Sequence, residues 1–246
     1  MGLAITWLML ARPPVAKAAT TITVTSAADA GGTCPGANCT LRQAIVTAIS
    51  GDTINFAQGI TTINLTTAEL LITKNLTING PGANLLTVQR SIVGPGIPNF
   101  RIFHIAIAEN LINVTLSGLT ISNGIAPANE SGGGILSETN TVTIANSTIS
   151  GNTASSGGGI YLQHSDGSAN IINSTISGNK ANNGGGILGT VSKVVSPEEI
   201  EIDIAPGVRV KVLRSTIASV LAKPDPAAAR EAAKEKEGAR READKA

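Results

Sequence analysis

A repeat between residues 114 and 187 limits what this chain can fold into. Three related hexapeptides recur in order: Leu119–Gly124, Ser147–Asn152 and Ser174–Asn179. Their central isoleucines lie 28 and 27 residues apart, and a Gly-Gly-Gly-Ile tetrapeptide follows each copy. A fixed period of about 20–50 residues is typical of repeat architectures, in which each repeat packs on its neighbours.

The repeats alternate apolar and polar residues over short runs, and they lack the 3.6-residue apolar period that helical repeats need. Thr, Ser, Asn and Gly fill the positions between the apolar residues, which is typical of short strands joined by tight turns. A period near 27 residues leaves room for about three strands of about 4–6 residues in each coil. The sequence therefore predicts an all-β fold, a parallel β-helix.

In a parallel β-helix, equivalent residues of successive coils lie above one another, so identical side chains form ladders. Two structural ladders are expected: an apolar one of Ile121, Ile149 and Ile176, and an asparagine one of Asn75, Asn146 and Asn173. The glycine triplets suit the corners of the coils, because glycine adopts backbone conformations closed to other residues.

The segment Cys39–Ala44, with the sequence CTLRQA, precedes the repeats. Together with them it resembles the bacterial right-handed β-helix proteins that carry a CSLREA motif, over residues 20–188. The resemblance implies a right-handed, pectin-lyase-like solenoid that is secreted or held at the cell surface. Within the motif, Thr40 and Gln43 fit a helix N-terminus. We expect a short amphipathic helix there that covers the open end of the first coil, with Arg42 solvated or salt-bridged.

Composition and patterning divide the chain into five segments: a signal-peptide-like segment without the usual basic start (1–18), an N-terminal strand and capping helix (19–51), the β-helix (52–188), a small β-segment (189–222) and a charged tail that is helical or disordered (223–246). The apolar start is too short to cross a bilayer, so no transmembrane helix is expected. The formal net charge of +1 gives no reason to expect a nucleic-acid partner. Cys34 and Cys39 are either a disulfide or two free thiols, and the export signal favours the disulfide.

Candidate catalytic residues are scarce in the repeats. Hydrolysis or lysis of a polysaccharide requires clustered carboxylates. The acids Glu109, Glu130, Glu138 and Asp166 share no repeat register, which predicts that they do not form such a cluster. His164 is an ordinary loop residue in this interpretation, and His104 is a packed or edge histidine. We therefore predict no catalytic, cofactor-binding or metal-binding residue.

The pattern changes after Ile187. Residues 185–221 are similar in order and spacing to YajC, an accessory subunit of the bacterial Sec translocase that associates with SecD–SecF. Apolar residues alternate with charged ones after residue 199, which predicts a strand and then a hairpin of Ile200–Ile204 with Val208–Leu213. Gly-Gly-Ile belongs to both patterns, which is consistent with a fusion at this point.

These observations lead to three hypotheses. The first is an exported, non-catalytic β-helix surface protein for adhesion or binding of a surface glycan or other cell-surface ligand. The second is a translocase accessory role at the membrane, with SecD–SecF as the partner of residues 185–221. The third is a polysaccharide lyase or hydrolase, since many such enzymes use this fold.

Overall fold

The computed structural model describes residues 18–106, 112–138, 141–163, 168–183, 190–194, 196–197, 199–205 and 208–213. All of them belong to the first of two compact units, which ends at residue 214. The predicted signal-peptide-like segment and the charged tail thus lie outside the described residues, apart from residue 18.

The chain forms an all-β parallel β-solenoid of about five turns. Three stacks of parallel strands run along it. Sheet A consists of β1 (Thr21–Val24), β2 (Asp52–Phe56), β5 (Leu76–Asn79), β8 (Asn113–Ser117), β11 (Thr141–Ala145) and β15 (Ser168–Ile172). Sheet B consists of β3 (Thr62–Leu65), β6 (Thr87–Arg90), β9 (Thr120–Ser122), β12 (Thr148–Ser150) and β16 (Thr175–Ser177). Sheet C consists of β4 (Leu70–Ile72), β7 (Phe103–Ile105), β10 (Ile135–Ser137) and β14 (Ile160–Leu162).

The last described coils contain a fourth short strand, which the sequence did not predict. Strand β13 (Thr153–Ser156) follows β12 directly and pairs in parallel with β17 (Lys180–Asn183) to form sheet D. The equivalent part of the preceding coil makes only isolated bridges, at Ile125 and Ser131.

The interior of the solenoid is aliphatic because each strand turns alternate residues inward. Ile149 pairs in register with Ile121 on one side and with Ile176 on the other. Ile121 and Ile149 are fully buried, and Ile176 packs partly buried against the same core. Burying such a side chain contributes roughly 1.5–3 kcal/mol, so the stack is a main source of stability.

Helix α1 (Leu41–Thr47) covers the first coil. It begins where the sequence predicted, with the side chain of Thr40 accepting a hydrogen bond from the Gln43 backbone N–H at 3.2 Å. Leu41, Ala44 and Ile45 are its buried residues, and they belong to the same core as the strands. The apolar face of the helix therefore shields the first coil from water.

The two glycine triplets within the described residues, 132–134 and 157–159, lie where neighbouring coils approach closely. A Cβ atom on Gly133 would lie 2.5 Å from the carbonyl oxygen of Thr153, and one on Gly134 would lie 2.6 Å from that of Gly159. Gly132 also has a positive φ of 73°. Both the space and the backbone conformation thus require glycine here.

The asparagine ladder was predicted with one wrong member. Asn146 and Asn173 follow the paired residues Ala145 and Ile172, and both have positive φ. Asn75 lies elsewhere, one residue before β5, where its Oδ1 accepts a hydrogen bond from the Asn113 backbone N–H at 2.7 Å. The error arose because asparagine recurs at more than one corner of the coil.

Asn152 and Asn179 form the hydrogen bonds between coils that were expected of the predicted asparagine ladder. Asn152 is fully buried, and its Nδ2 donates to Asn179 Oδ1 at 2.9 Å and to the Ile121 carbonyl at 3.1 Å. Asn179 Nδ2 donates to the Ile149 carbonyl in the same way, at 2.9 Å. These side chains satisfy backbone groups between coils, as buried polar groups must.

After the solenoid, three antiparallel strands form sheet E: β18 (Thr190–Val194), β19 (Glu199–Ala205) and β20 (Val208–Leu213). The hairpin of β19 and β20 pairs Ile202 with Val210 and Glu201 with Lys211, as the alternation predicted. Strand β20 also contacts β15, the last strand of sheet A. Within the described residues, no helix has the length and apolar character needed to span a membrane.

Candidate functional site

The outward face of sheet C carries a column of four residues, one from each strand. Leu71, His104, Leu136 and Tyr161 are paired in register along the axis. Strands lie about 4.8 Å apart, so these side chains are direct neighbours. Leu71 is half exposed at 51%, whereas Leu136 is buried. The column is therefore a mostly apolar strip with one histidine in it.

Arg101, just before β7, holds two carboxylates beside this strip. Its Nη1 lies 2.8 Å from Glu69 Oε2, and its Nη2 pairs with Glu130. The guanidinium side chain is only 5% exposed, while Glu130 is 51% exposed. The Arg101 side chain thus lies beneath its two carboxylate partners, which are closer to solvent. Arg101 Nε is buried and has no hydrogen-bond partner among the described residues.

His104 lies between two carboxylates from neighbouring coils. Its Nδ1 is 2.7 Å from Glu69 Oε1, within hydrogen-bond distance. Its Nε2 is 3.3 Å from Glu138 Oε1, within ion-pair distance, and has no hydrogen-bond partner in the described part of the chain. Glu69 therefore bridges Arg101 and His104, and these five side chains form one network, which we call the sheet C cluster (Glu69, Arg101, His104, Glu130 and Glu138).

The network shifts two titrations in opposite directions. The hydrogen bond with Glu69 raises the pKa of His104 above its ordinary value; burial opposes this rise, and the charges of Glu69 and Glu138 add to it. Burial alone would raise the pKa of Glu69, but the hydrogen bond with His104 and the charge of Arg101 hold it below the usual range. At neutral pH Glu69 is therefore ionised.

A second ion pair fixes the turn from which Glu69 projects. Arg42 pairs with Asp29 through Nε at 3.0 Å and Nη2 at 2.6 Å. The same guanidinium donates to the carbonyl oxygens of Ala68 at 2.6 Å and Glu69 at 2.7 Å. The expectation that Arg42 is a salt-bridged cap residue is confirmed. Arg42 thus connects the capping helix to the sheet C cluster.

Asp29 completes this connection from the loop before α1. Its second oxygen accepts hydrogen bonds from the backbone N–H groups of Thr66 at 2.8 Å and Thr67 at 3.0 Å. Burial opposes ionisation, but these bonds and the Arg42 guanidinium hold the pKa of Asp29 below its ordinary value. The cap loop, the cap helix and the first coil are thereby tied together by one carboxylate.

The prediction that the acids do not cluster was wrong. Glu130 and Glu138 come together around Arg101 and His104, although they share no repeat register. Glu69 was not singled out from the sequence at all. One signal could have found it: Glu69 precedes the apolar strand Leu70–Ile72, as Arg101 shortly precedes Phe103–Ile105. Glu109, His164 and Asp166 lie outside the described residues.

The other predicted site residues are structural. Cys34 and Cys39 form a disulfide with a Cα–Cα distance of 4.7 Å beside the cap helix. Among the described residues, no group of three or more His, Cys, Asp or Glu side chains is arranged to hold a metal ion. The sheet C cluster is thus a network of ion pairs on the surface of the solenoid.

The fold and this surface define the class of protein: an all-β parallel β-solenoid with a charged, partly apolar outer face. Residues 167–221 match the family described as YajC, preprotein translocase subunit. The match begins upstream of the 185–221 segment seen in the sequence, and it includes β15, β16 and β17 as well as sheet E. No curated protein and no solved structure matches the chain.

Proposed function

We propose that this chain is an exported, non-catalytic surface protein whose sheet C face binds a neutral or amino-substituted glycan. The observation that carries the proposal is the group of partly exposed carboxylates over a buried arginine, beside Leu71 and Tyr161. Ligand sites typically combine an apolar surface with a few fixed polar groups. Tyrosine adds a ring that packs on sugar faces and a hydroxyl that bonds to them.

The charge of the face determines which glycans it accepts. Three carboxylates surround Arg101 and His104, and Arg101 is covered by its own partners. A polyanionic chain such as a polyuronate would meet these carboxylates first and be repelled. A neutral or amino sugar would accept hydrogen bonds from, or donate them to, the same groups. This is the opposite of the preference expected for a uronate lyase.

The ionisation of Glu69 argues against this residue as the proton donor of a glycosidase. A glycosidase requires one carboxyl group that stays protonated to donate a proton to the leaving group. The lowered pKa of Glu69 makes it a poor donor, and both of its oxygens are occupied by Arg101 and His104. Export is supported by the Cys34–Cys39 disulfide, since such bonds persist in oxidising compartments.

Glycan-array binding by the full chain tests this proposal. We expect binding to neutral or amino glycans, at least about tenfold weaker binding for Tyr161→Ala and Glu130→Gln, and unchanged binding for the matched control Thr148→Ala on sheet B. Binding only to polyuronates, or equal binding by all variants, would contradict it. Release of unsaturated products or reducing ends from a polysaccharide, abolished by His104→Ala, would instead make the protein an enzyme.

A second candidate function rests on the family match at residues 167–221. In this alternative, sheet E and the adjoining strands act as a translocase accessory with SecD–SecF as the partner. Tags at both ends of the intact chain distinguish the two. Co-purification with SecD–SecF at the membrane supports the accessory role, whereas recovery of both tags from the cell surface or medium supports the glycan-binding role.

A further inference from the structure

Sheet A presents a second outward surface, on a different stack of strands from the sheet C cluster. One column of it consists of five threonines in five successive strands: Thr21, Thr53, Thr77, Thr115 and Thr143. The pairing of these strands contains no register shift. The hydroxyl groups therefore repeat at the strand spacing of about 4.8 Å along the axis.

We call this column of five residues the threonine ladder, and its hydroxyl groups are available to form hydrogen bonds with water. None of them makes a hydrogen bond to another described residue, and each side chain is exposed or partly exposed. Threonine is stiff about χ1, so the methyl and hydroxyl groups keep fixed positions. The backbone beneath is held by inward residues that are completely buried, such as Ile54, Ile78 and Leu116. The ladder is therefore a rigid array.

The surface around the ladder is uncharged. On the described strands of sheet A, the one charged residue is Asp52, which is buried and accepts bonds from Thr20 and Ile49. The column beside the ladder consists of Thr23, Asn55, Asn79, Ser117 and Ala145, all neutral. Charged groups bind and orient water strongly, and the described strands of sheet A expose no such group.

A rigid, neutral array of alternating methyl and hydroxyl groups matches one occupant well. The oxygen atoms of ice repeat on several crystal planes at a spacing close to that of neighbouring strands. Hydroxyl groups can occupy or bond to lattice positions, while the methyl groups order the water between them. We propose that the threonine ladder on sheet A binds the surface of ice, a neutral solid that this neutral face complements.

Sheet B supplies a matched comparison. It also carries threonines in register, at Thr62, Thr87, Thr120, Thr148 and Thr175. Here the Thr120 hydroxyl donates to the Ala83 carbonyl at 2.6 Å. Gln89 bridges Asn64 and Asn123 across the face. Its array is therefore interrupted, and it should not bind ice.

The test is thermal hysteresis and inhibition of ice recrystallisation by the full chain. Wild type should show both, and a fluorescently labelled protein should concentrate in a growing ice hemisphere. The double variant Thr115→Lys and Thr143→Lys should fall to the level of buffer. The single variant Thr148→Lys, an outward residue of the same coil as Thr143, should keep wild-type activity. Circular dichroism verifies that all three chains are folded.

Three results would overturn the proposal: no ice activity in wild type, full activity in the sheet A variant, or equal loss in the sheet B variant. Binding to crystalline polysaccharide in place of ice would overturn it too. Glycan binding through sheet C is measured separately on the same proteins, so either proposal can fail without the other.

Discussion

Arg101 is the residue on which the sheet C cluster depends. It is nearly buried, and it neutralises Glu69 and Glu130, which come from different coils. Its carboxylate partners are themselves partly exposed, so water screens part of the attraction. Removing the cation would nevertheless leave three carboxylates close together with only His104 to compensate, which gives Arg101 a larger role than an ordinary surface arginine.

Replacing Arg101 with methionine should lower the free energy of unfolding by roughly 2–3 kcal/mol, below the full cost of breaking a buried pair because of that screening. Urea denaturation followed by circular dichroism measures the change. Arg90→Met is the matched control, since among the described residues Arg90 makes one hydrogen bond, to the Asn123 carbonyl at 3.2 Å. Equal effects of the two substitutions would show that the cluster adds nothing beyond packing.

His104 gives the solenoid a pH-dependent stability. Because its pKa is raised in the folded state, its contribution is complete below the ordinary value of 6.5 and is lost as the pH rises through the folded-state value. Between about pH 6 and about pH 9, the wild-type free energy of unfolding should therefore fall more than that of His104→Gln. Parallel pH profiles for the two proteins would refute this contribution.

At the scale of elements, the cap and the first coil act as one unit. Thr40 caps the N-terminus of helix α1, and its hydroxyl also donates to the Gly31 carbonyl at 2.9 Å. Lys74, from the turn after β4, donates to the Ala48 carbonyl at 2.7 Å at the other end of the helix. Together with Arg42 and Asp29, these contacts join the helix to the solenoid at both of its ends.

Thr40→Val should therefore destabilise the chain by about 1–2 kcal/mol, the usual cost of losing an N-cap side chain. The control is Thr47→Val at the exposed last residue of the same helix, where the change should be within about 0.5 kcal/mol. Thermal or urea unfolding of both variants measures the difference. A smaller loss for Thr40→Val than for Thr47→Val would contradict the cap assignment.

The regular coils could be predicted from the sequence, and the irregular one could not. The tripeptide Thr-Ile-Ser occurs three times, at Thr120–Ser122, Thr148–Ser150 and Thr175–Ser177. The structure pairs the three copies residue by residue, as their identity predicts. Ile78 pairs with Leu116 in sheet A, so the coil between these two residues is longer than the 27-residue repeat. The long coil between them includes the segment that carries exposed Ile92 and Val93.

The sheet C cluster was missed for the same reason. Glu69 and His104 are 35 residues apart, and Arg101 and Glu130 are 29 apart, so neither pair fits the 27-residue repeat. Their contact depends on how the long coil is accommodated, which no local pattern encodes. By contrast, the cap at Thr40 was predicted correctly because an N-cap is decided by residues three positions apart.

At the scale of the whole molecule, the charged and the neutral surface residues of the solenoid lie on different sheets. Sheet C carries the charged cluster, sheet A the neutral threonine ladder, and the core between them is aliphatic. Each coil contributes one residue to each column, so a column can acquire a function without changes in the core. This separation depends entirely on residues one repeat apart lying directly over one another.

Disulfide cross-linking between adjacent coils tests that arrangement most directly. The double variant Thr148→Cys and Thr175→Cys places two cysteines on paired positions of neighbouring strands. Their Cα atoms are about 4.8 Å apart, which is within the range that a disulfide spans. Thr120→Cys with Thr175→Cys is two strands apart, about 9.6 Å, and cannot be bridged. Mass spectrometry after mild oxidation should find the first cross-link in high yield and the second not at all; equal yields, or no cross-link between positions 148 and 175, would contradict the stacked solenoid.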